Sequence, residues 1–187
     1  MWTLVGIAII TFVITNLDDL VVLTSFAGHE QFDRWDVLLG QYTGFSILLL
    51  ASLLGGLTAT TLVDDYVQWL GILPIFVGLI WMIRMNRNAR AWNDPDANGS
   101  RIGAVAGVGV ANGADNIAVY VPLFAVLGGT ETGIVVLVFL VAAGGLILVA
   151  DWLSDRPVLA DRLETHGDRL VPAVLIALGG AILVGLV

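Results

Sequence analysis

The sequence predicts an all-α membrane protein with six transmembrane helices, arranged as two inverted three-helix repeats with both termini outside. The first observation is composition: the 187 residues are 58% hydrophobic and 13% charged, whereas about a quarter of an ordinary soluble domain is charged. Several apolar runs reach the roughly 20 residues that cross a hydrocarbon core. The second observation is that the arginines fall on alternate loops, and the third is that the two halves share motifs.

Polar breaks divide the chain into predicted spans at 2–27, 37–62, 66–85, 101–127, 132–153 and 169–187. The first span lacks the basic segment of a signal peptide, so we expect it to be a retained helix. The breaks are 28–36, a turn at Asp64 and Asp65, 86–100, a turn at 128–131, and 154–168. Residues 86–100 are rich in Asn, Asp, Pro and Gly, which is typical of a linker. The predicted units are therefore a first repeat over 1–85, a cytoplasmic linker over 86–100, and a second repeat over 101–187.

The basic residues test this count, because all eight of them are arginine. They flank only the first, third and fifth breaks: Arg34; Arg84, Arg87, Arg90 and Arg101; Arg156, Arg162 and Arg169. Arginine marks cytoplasmic loops. We therefore predict a multi-pass protein of the plasma membrane whose N- and C-termini both lie outside.

Three pairs of motifs relate the halves. Asp18-Asp19-Leu20 and Asp115-Asn116-Ile117 lie 97 residues apart, GGL occurs at 55–57 and at 144–146, and Pro74 and Pro172 lie 98 residues apart. An odd number of spans in each half makes such a repeat inverted. Inverted repeats are typical of transporters, which bind substrate near the midplane where the halves meet.

Acidic residues in the first and fourth spans are the main functional signal. A charged aspartate at the centre of a membrane helix costs about 2.5–3.5 kcal/mol if it faces lipid, so these side chains must face inward, become protonated or bind a cation. Residues three and four apart share a helix face. This spacing gives two facets of candidate metal ligands: Thr15, Asp18 and Asp19, and Asn112, Asp115 and Asn116.

Three further residues are expected to line a secondary pathway. Asn16 points away from the first facet and would reach the site only if the helix unwinds there. Gly113 and Pro122 favour such a break in the fourth span. Gln41, within GQYTGF, and Tyr120, about one turn beyond the second facet, rank below the acids.

The chemical types of the candidate ligands limit which cation they can bind. There is no Cys, and carboxylate, amide and hydroxyl oxygens suit hard divalent cations such as Mg²⁺, Ca²⁺ or Mn²⁺. The expected partners are a divalent metal ion, as substrate, and the lipid bilayer; no cofactor, catalytic residue or nucleic acid is expected. Stripes of small residues would suit either close helix packing or a homodimer.

Three motifs together resemble the cadmium-resistance transporter family, a branch of the lysine-exporter superfamily of small six-helix exporters. They are TNLDDLVVL from residue 15, GQYTGF from residue 40, and GVANGADNIAVYVPLF from residue 109. The resemblance covers essentially the whole chain and implies efflux of divalent metal, typically Cd²⁺. The matching motif residues are Asp18, Asp19, Asn112, Asp115 and Asn116. Without sulfur ligands, these residues do not explain a preference for Cd²⁺ over Mn²⁺ or Ca²⁺.

The predicted function is therefore secondary transport of a divalent cation out of the cell, coupled to proton exchange at the same carboxylates. No nucleotide-binding motif is present. One alternative keeps the fold but exports an amino acid or a small organic cation. A remote alternative is an intramembrane aspartyl protease, for which GAD at 113–115 lacks the fuller GxGD motif. An assembly or sensor protein is a third alternative, disfavoured by the lack of a sizeable soluble domain.

Overall fold

The computed structural model describes residues 1–62, 64–84 and 100–186, and every regular element in these ranges is a helix. The first group is α1 (Trp2–Thr15), α2 (Leu17–Ala27), α3 (Arg34–Leu62), a 3₁₀ helix (Asp64–Gly71) and α4 (Ile72–Arg84). The second group is α5 (Arg101–Asn112), α6 (Ala114–Val126), α7 (Gly129–Ser154) and α8 (Pro157–Leu183). The all-α prediction is confirmed over the described residues.

Two of the predicted spans are broken helices. The axis bends by 58° between α1 and α2 and by 65° between α5 and α6. Among the described helices, α3 and α7 are each long and apolar enough to cross a membrane, and the number rises to four if each bent pair is one span. The third and sixth predicted spans contain shorter apolar helices, Val67–Ile80 and Val171–Leu183. The six-span count and the outside termini stay predictions.

The last predicted break is wrong, because α8 already begins at Pro157 and continues through residues 157–168. Proline is favoured in the first turn of a helix, and the segment that follows is made mostly of good helix formers. The polar residues of this segment therefore belong to the first turns of a helix and not to a loop. The predicted turn at Asp64 and Asp65 is the start of the 3₁₀ helix. The linker over 86–100 lies outside the described residues, except Ser100.

Side-chain caps fix where two of the helices begin. At α3, Asp33 Oδ1 accepts from the backbone N–H groups of Trp35 (2.8 Å) and Asp36 (2.9 Å), and Asp36 Oδ2 accepts from the N–H of Asp33 (3.2 Å). At α5, Ser100 Oγ accepts from the N–H of Gly103 (3.2 Å). Such caps satisfy N–H groups that have no partner within the helix.

Ion pairs join three helix ends at one end of the bundle. Arg34 Nη2 lies 3.0 Å from Asp151 Oδ2, which links the start of α3 to the end of α7. Arg101 Nη1 lies 3.5 Å from Asp36 Oδ2, which links the start of α5 to the start of α3. The starts of α3 and α5 and the end of α7, which adjoin the first, third and fifth predicted breaks, therefore lie at one end of the bundle.

The helices pack in corresponding pairs around α3 and α7. Helix α3 packs against α5 and α6, α7 packs against α1 and α2, and α4 packs against α8. One buried cluster takes side chains from α1 and α6, and a second takes them from α2 and α5. At each break, therefore, the helix before the break and the helix after it contribute to different clusters. Many large side chains on the outer faces of α3 and α7 are exposed and apolar, as lipid contact requires: Leu50, Leu54, Leu57, Leu137, Val141 and Leu148.

Candidate metal site at two broken helices

The two helix breaks fall at equivalent positions of the two halves. One is Asn16 and the other is Gly113, which are separated by the same 97 residues as the acidic motifs. In both cases the break residue donates its N–H to the carbonyl four residues before it and accepts at its own carbonyl from the N–H four residues after it. These bonds are Asn16 to Phe12 (3.1 Å), Leu20 to Asn16 (3.0 Å), Gly113 to Gly109 (3.1 Å) and Ile117 to Gly113 (3.1 Å).

Local chemistry explains why the chain bends there. Asn16 has φ −118° and ψ 18°, and its side-chain Nδ2 donates to the Phe12 carbonyl at 2.8 Å. An asparagine side chain that bonds to the backbone in this way competes with regular helix formation. At Gly113, a Cβ atom would collide with the side chain of Leu48 from α3, so only glycine fits without a shift. The expected break in the fourth span is confirmed at Gly113, while α6 continues through Pro122.

The bends place the acidic residues in the first turns of new helices. Asp18 and Asp19 occupy the first turn of α2, and Asp115 occupies the first turn of α6. Asp19 is 3% exposed and Asp115 is 8% exposed, whereas Asp18 is half-buried. The N-terminal end of a helix stabilises negative charge, and the C-terminal ends of α1 and α5 present carbonyl oxygens at the same breaks. Each break therefore combines groups that favour a bound cation.

Two buried amide oxygens complete the polar surroundings. Asn16 is 0% exposed and Asn116 is 1% exposed. Within the part of the chain that the structure describes, Oδ1 of neither residue accepts a hydrogen bond. Buried acceptors of this kind are rare in native proteins and require an explanation. Carbonyl oxygens aimed at an ion are one such explanation.

Tyr120 brings the two halves into contact at the first break. Its hydroxyl lies 2.8 Å from Thr15 Oγ1 and accepts from Asn16 Nδ2 at 2.9 Å. A side chain from the second half therefore contacts the break in the first half. Convergence of the acids from both halves stays a prediction.

Three of the predicted residues, Thr15, Asn112 and Gln41, differ in burial and in the partners that they contact. Thr15 is buried, but its hydroxyl bonds to Tyr120 and to the Thr11 carbonyl (3.0 Å). Asn112 is half-buried at the end of α5. Gln41 is buried on α3 with Oε1 3.7 Å from the position of a Cβ on Gly109, so it faces α5 one turn before the second break.

Asn16 and Tyr120, ranked as secondary residues from the sequence, lie at the centre of the polar network. The aromatic surroundings of Tyr120 were missed: rings of Phe45, Phe124 and Phe139 surround it with centroids 4.6–6.4 Å away. Only the side chain of Phe124, one turn after Tyr120, could have been anticipated from helical spacing.

Carboxylates alone do not form a metal site. Across residues 1–62, 64–84 and 100–186, no three His, Cys, Asp or Glu side chains lie close enough together to hold an ion. A cation bound here would need amide or backbone oxygens in addition to the acids. That requirement agrees with the hard-ligand chemistry expected from the sequence.

These features define a helical membrane protein with a buried polar site between two broken helices. Comparison with known families then places the chain: residues 12–186 match the cadmium resistance transporter family. The match covers nearly the whole chain, so the protein belongs to this family of metal-ion transporters. No curated protein and no solved structure gave a match.

Proposed function

We propose that this protein exports divalent metal cations by secondary transport through a site between the two helix breaks. Asp19 and Asp115 supply the charge, and Asn16 and Asn116 supply buried carbonyl oxygens. Asp18 and Asn112, which are half-buried, receive the ion before it reaches the inner ligands. The observation that carries the proposal is that buried acids begin the new helix at both breaks, while the buried Tyr120 hydroxyl of the second half bonds to Thr15 and Asn16 at the first break.

The packing supports alternating access by two inverted halves. The contacts of α3 with α5 and α6 correspond to those of α7 with α1 and α2. The break residues and their backbone hydrogen bonds correspond in the same way. In such a transporter the halves rock about a fixed central site. The direction of transport, outward, follows from the family.

Proton exchange supplies the driving force. A carboxylate can hold either a metal ion or a proton, so release of metal on one side allows protons to bind and return. The ligands are hard oxygens, so Mn²⁺ and Ca²⁺ are substrates beside Cd²⁺.

The test uses purified protein in liposomes, with uptake of Cd²⁺, Mn²⁺ and Ca²⁺ measured together with internal pH. We expect saturable metal uptake accompanied by proton movement in the opposite direction. Asp19→Asn and Asp115→Asn should each reduce uptake to that of empty liposomes. Glu30→Gln is the matched control, because Glu30 is an exposed carboxylate in the first loop. Full uptake by both aspartate variants would reject the site.

A second candidate, export of a small organic cation or amino acid, is favoured by one observation. Tyr120, which follows Asp115 on α6, belongs to an aromatic cluster, and aromatic faces attract organic cations. These rings are packed against one another in the core, however, and Tyr120 is 0% exposed. Thermal stabilisation of the purified protein by lysine or arginine, but not by Mn²⁺ or Cd²⁺, would favour this candidate.

A further inference from the structure

The orientation of the Asn16 amide is fixed by its neighbours. Its nitrogen lies 2.8 Å from the Phe12 carbonyl oxygen, 2.9 Å from the Tyr120 hydroxyl and 3.0 Å from Thr15 Oγ1. A carbonyl oxygen can only accept, so the amide nitrogen must face Phe12. The amide oxygen therefore faces away from α1, where it accepts no hydrogen bond from any described residue.

The Tyr120 hydroxyl belongs to a chain of hydrogen bonds with one consistent direction. Thr15 Oγ1 lies 3.0 Å from the Thr11 carbonyl, to which it must donate. Thr15 can then accept the proton of Tyr120 at 2.8 Å, and Tyr120 accepts from Asn16. If Thr15 donated to Tyr120 instead, the Tyr120 O–H group would be left facing Asn16 Nδ2, which cannot accept.

The Tyr120 ring is held in place by the core. The residue is 0% exposed, and its ring centroid lies 4.6 Å from that of Phe139 and 6.4 Å from that of Phe45. The hydroxyl cannot leave the break unless these rings move. The position 97 residues earlier, in the other half, is Leu23, so this hydroxyl has no counterpart at the second break.

We propose that Tyr120 is a positioning residue for metal binding, which acts by holding the Asn16 amide oxygen toward the ion. This inference rests on the proposed function, since it concerns the same site. Tyr120 itself does not bind the ion, because its hydroxyl is occupied by Asn16 and Thr15. Partners that orient metal ligands typically change affinity by about 10–100-fold when they are removed.

The test is the Tyr120→Phe variant, which removes the hydroxyl and keeps the ring. Titration of purified protein with Mn²⁺ and with Cd²⁺ should show affinity about tenfold weaker than wild type. In liposomes the KM for metal should rise while the maximal rate stays close to wild type. Tyr42→Phe is the matched control, because the Tyr42 hydroxyl donates to the Leu140 carbonyl at 3.0 Å, between α3 and α7. Its affinity should be unchanged.

A double-mutant cycle separates positioning from direct binding. In an Asn16→Ala background, Tyr120→Phe should cause no further loss of affinity, since the group that it orients is gone. An equal loss in both backgrounds would overturn the inference, because Tyr120 would then act independently of Asn16. Wild-type affinity in Tyr120→Phe would overturn it as well.

A second pair of variants covers the case in which Tyr120→Phe fails to fold. Thr15→Val removes the acceptor of the Tyr120 proton and should also weaken metal binding. Thr24→Val is its control, because Thr24 Oγ1 donates to the Leu20 carbonyl at 2.7 Å within α2. Thr15→Val with wild-type affinity would overturn the inference. Absence of metal binding by the wild-type protein would instead refute the proposed function, and the inference with it.

Discussion

The close approach of α3 to α5 leaves no room for an added methyl group at Gly44. A Cβ atom there would lie 2.8 Å from the Ala106 carbonyl oxygen and 3.2 Å from Ala106 Cα. Both are backbone atoms, so no rotamer change can relieve the contact. Ordinary contact begins at 3.4 Å, so α5 would have to move by roughly half an ångström.

We expect Gly44→Ala to destabilise the protein by about 1–3 kcal/mol, the usual cost of overpacking a tight contact. For a chain of this length, each kcal/mol corresponds to about 2–4 °C in Tm. Thermal unfolding in detergent measures this. Metal uptake should also fall, because α5 ends at Asn112, directly before the second break.

Gly145 provides the matched control. It lies in α7, is exposed, and a Cβ atom there would meet nothing within 4 Å. Alanine is favoured over glycine in a helix by about 1 kcal/mol, so Gly145→Ala should be at least as stable as wild type. If Gly44→Ala and Gly145→Ala unfold at the same temperature, the inferred contact between α3 and α5 is incorrect.

Two further perturbations test the second break and the charged end of the bundle. Gly113→Ala should lower stability by about 1–3 kcal/mol through collision with the Leu48 side chain. In a Leu48→Ala background the same substitution should cost less, because the colliding atoms are gone. An equal cost in both backgrounds, measured by thermal unfolding, would argue against that collision. The side chains of the Arg34–Asp151 pair are 84% and 33% exposed, so a double-mutant cycle should give a coupling energy of at most about 1 kcal/mol. Addition of 1 M NaCl should remove most of this coupling. A larger coupling energy that resists salt would contradict a solvent-screened pair.

The helix pattern could be predicted from the sequence because hydropathy and arginine position are local signals. All six predicted spans contain apolar helices, and the described arginine-bearing ends meet at one end of the bundle. Residues 157–168 were mispredicted because polar composition is shared by loops and by solvated helical turns. The membrane orientation of that end depends on the bilayer and stays a prediction.

Asn16 and Tyr120 were predicted as secondary residues, but their central place in the site could not be, because it depends on the bend. On a straight helix Asn16 projects about 100° from Thr15, away from the acidic facet. The 58° bend removes that regularity and lets the side chain reach Tyr120. Tyr120 and Asn16 lie 104 positions apart in the chain, and no local pattern reports a contact over that separation.

The same bends supply a charge argument for the proposed class of substrate. In transporters of amino acids, the free N-terminus of a broken helix binds the carboxylate of the substrate. Here the first turn of α2 contains Asp18 and Asp19, and that of α6 contains Asp115. A zwitterionic substrate would bring a further carboxylate to positions that the protein's own carboxylates already occupy, and the like charges would repel. A metal cation meets no such repulsion, so the charge arrangement at the breaks favours metal ions over amino acids.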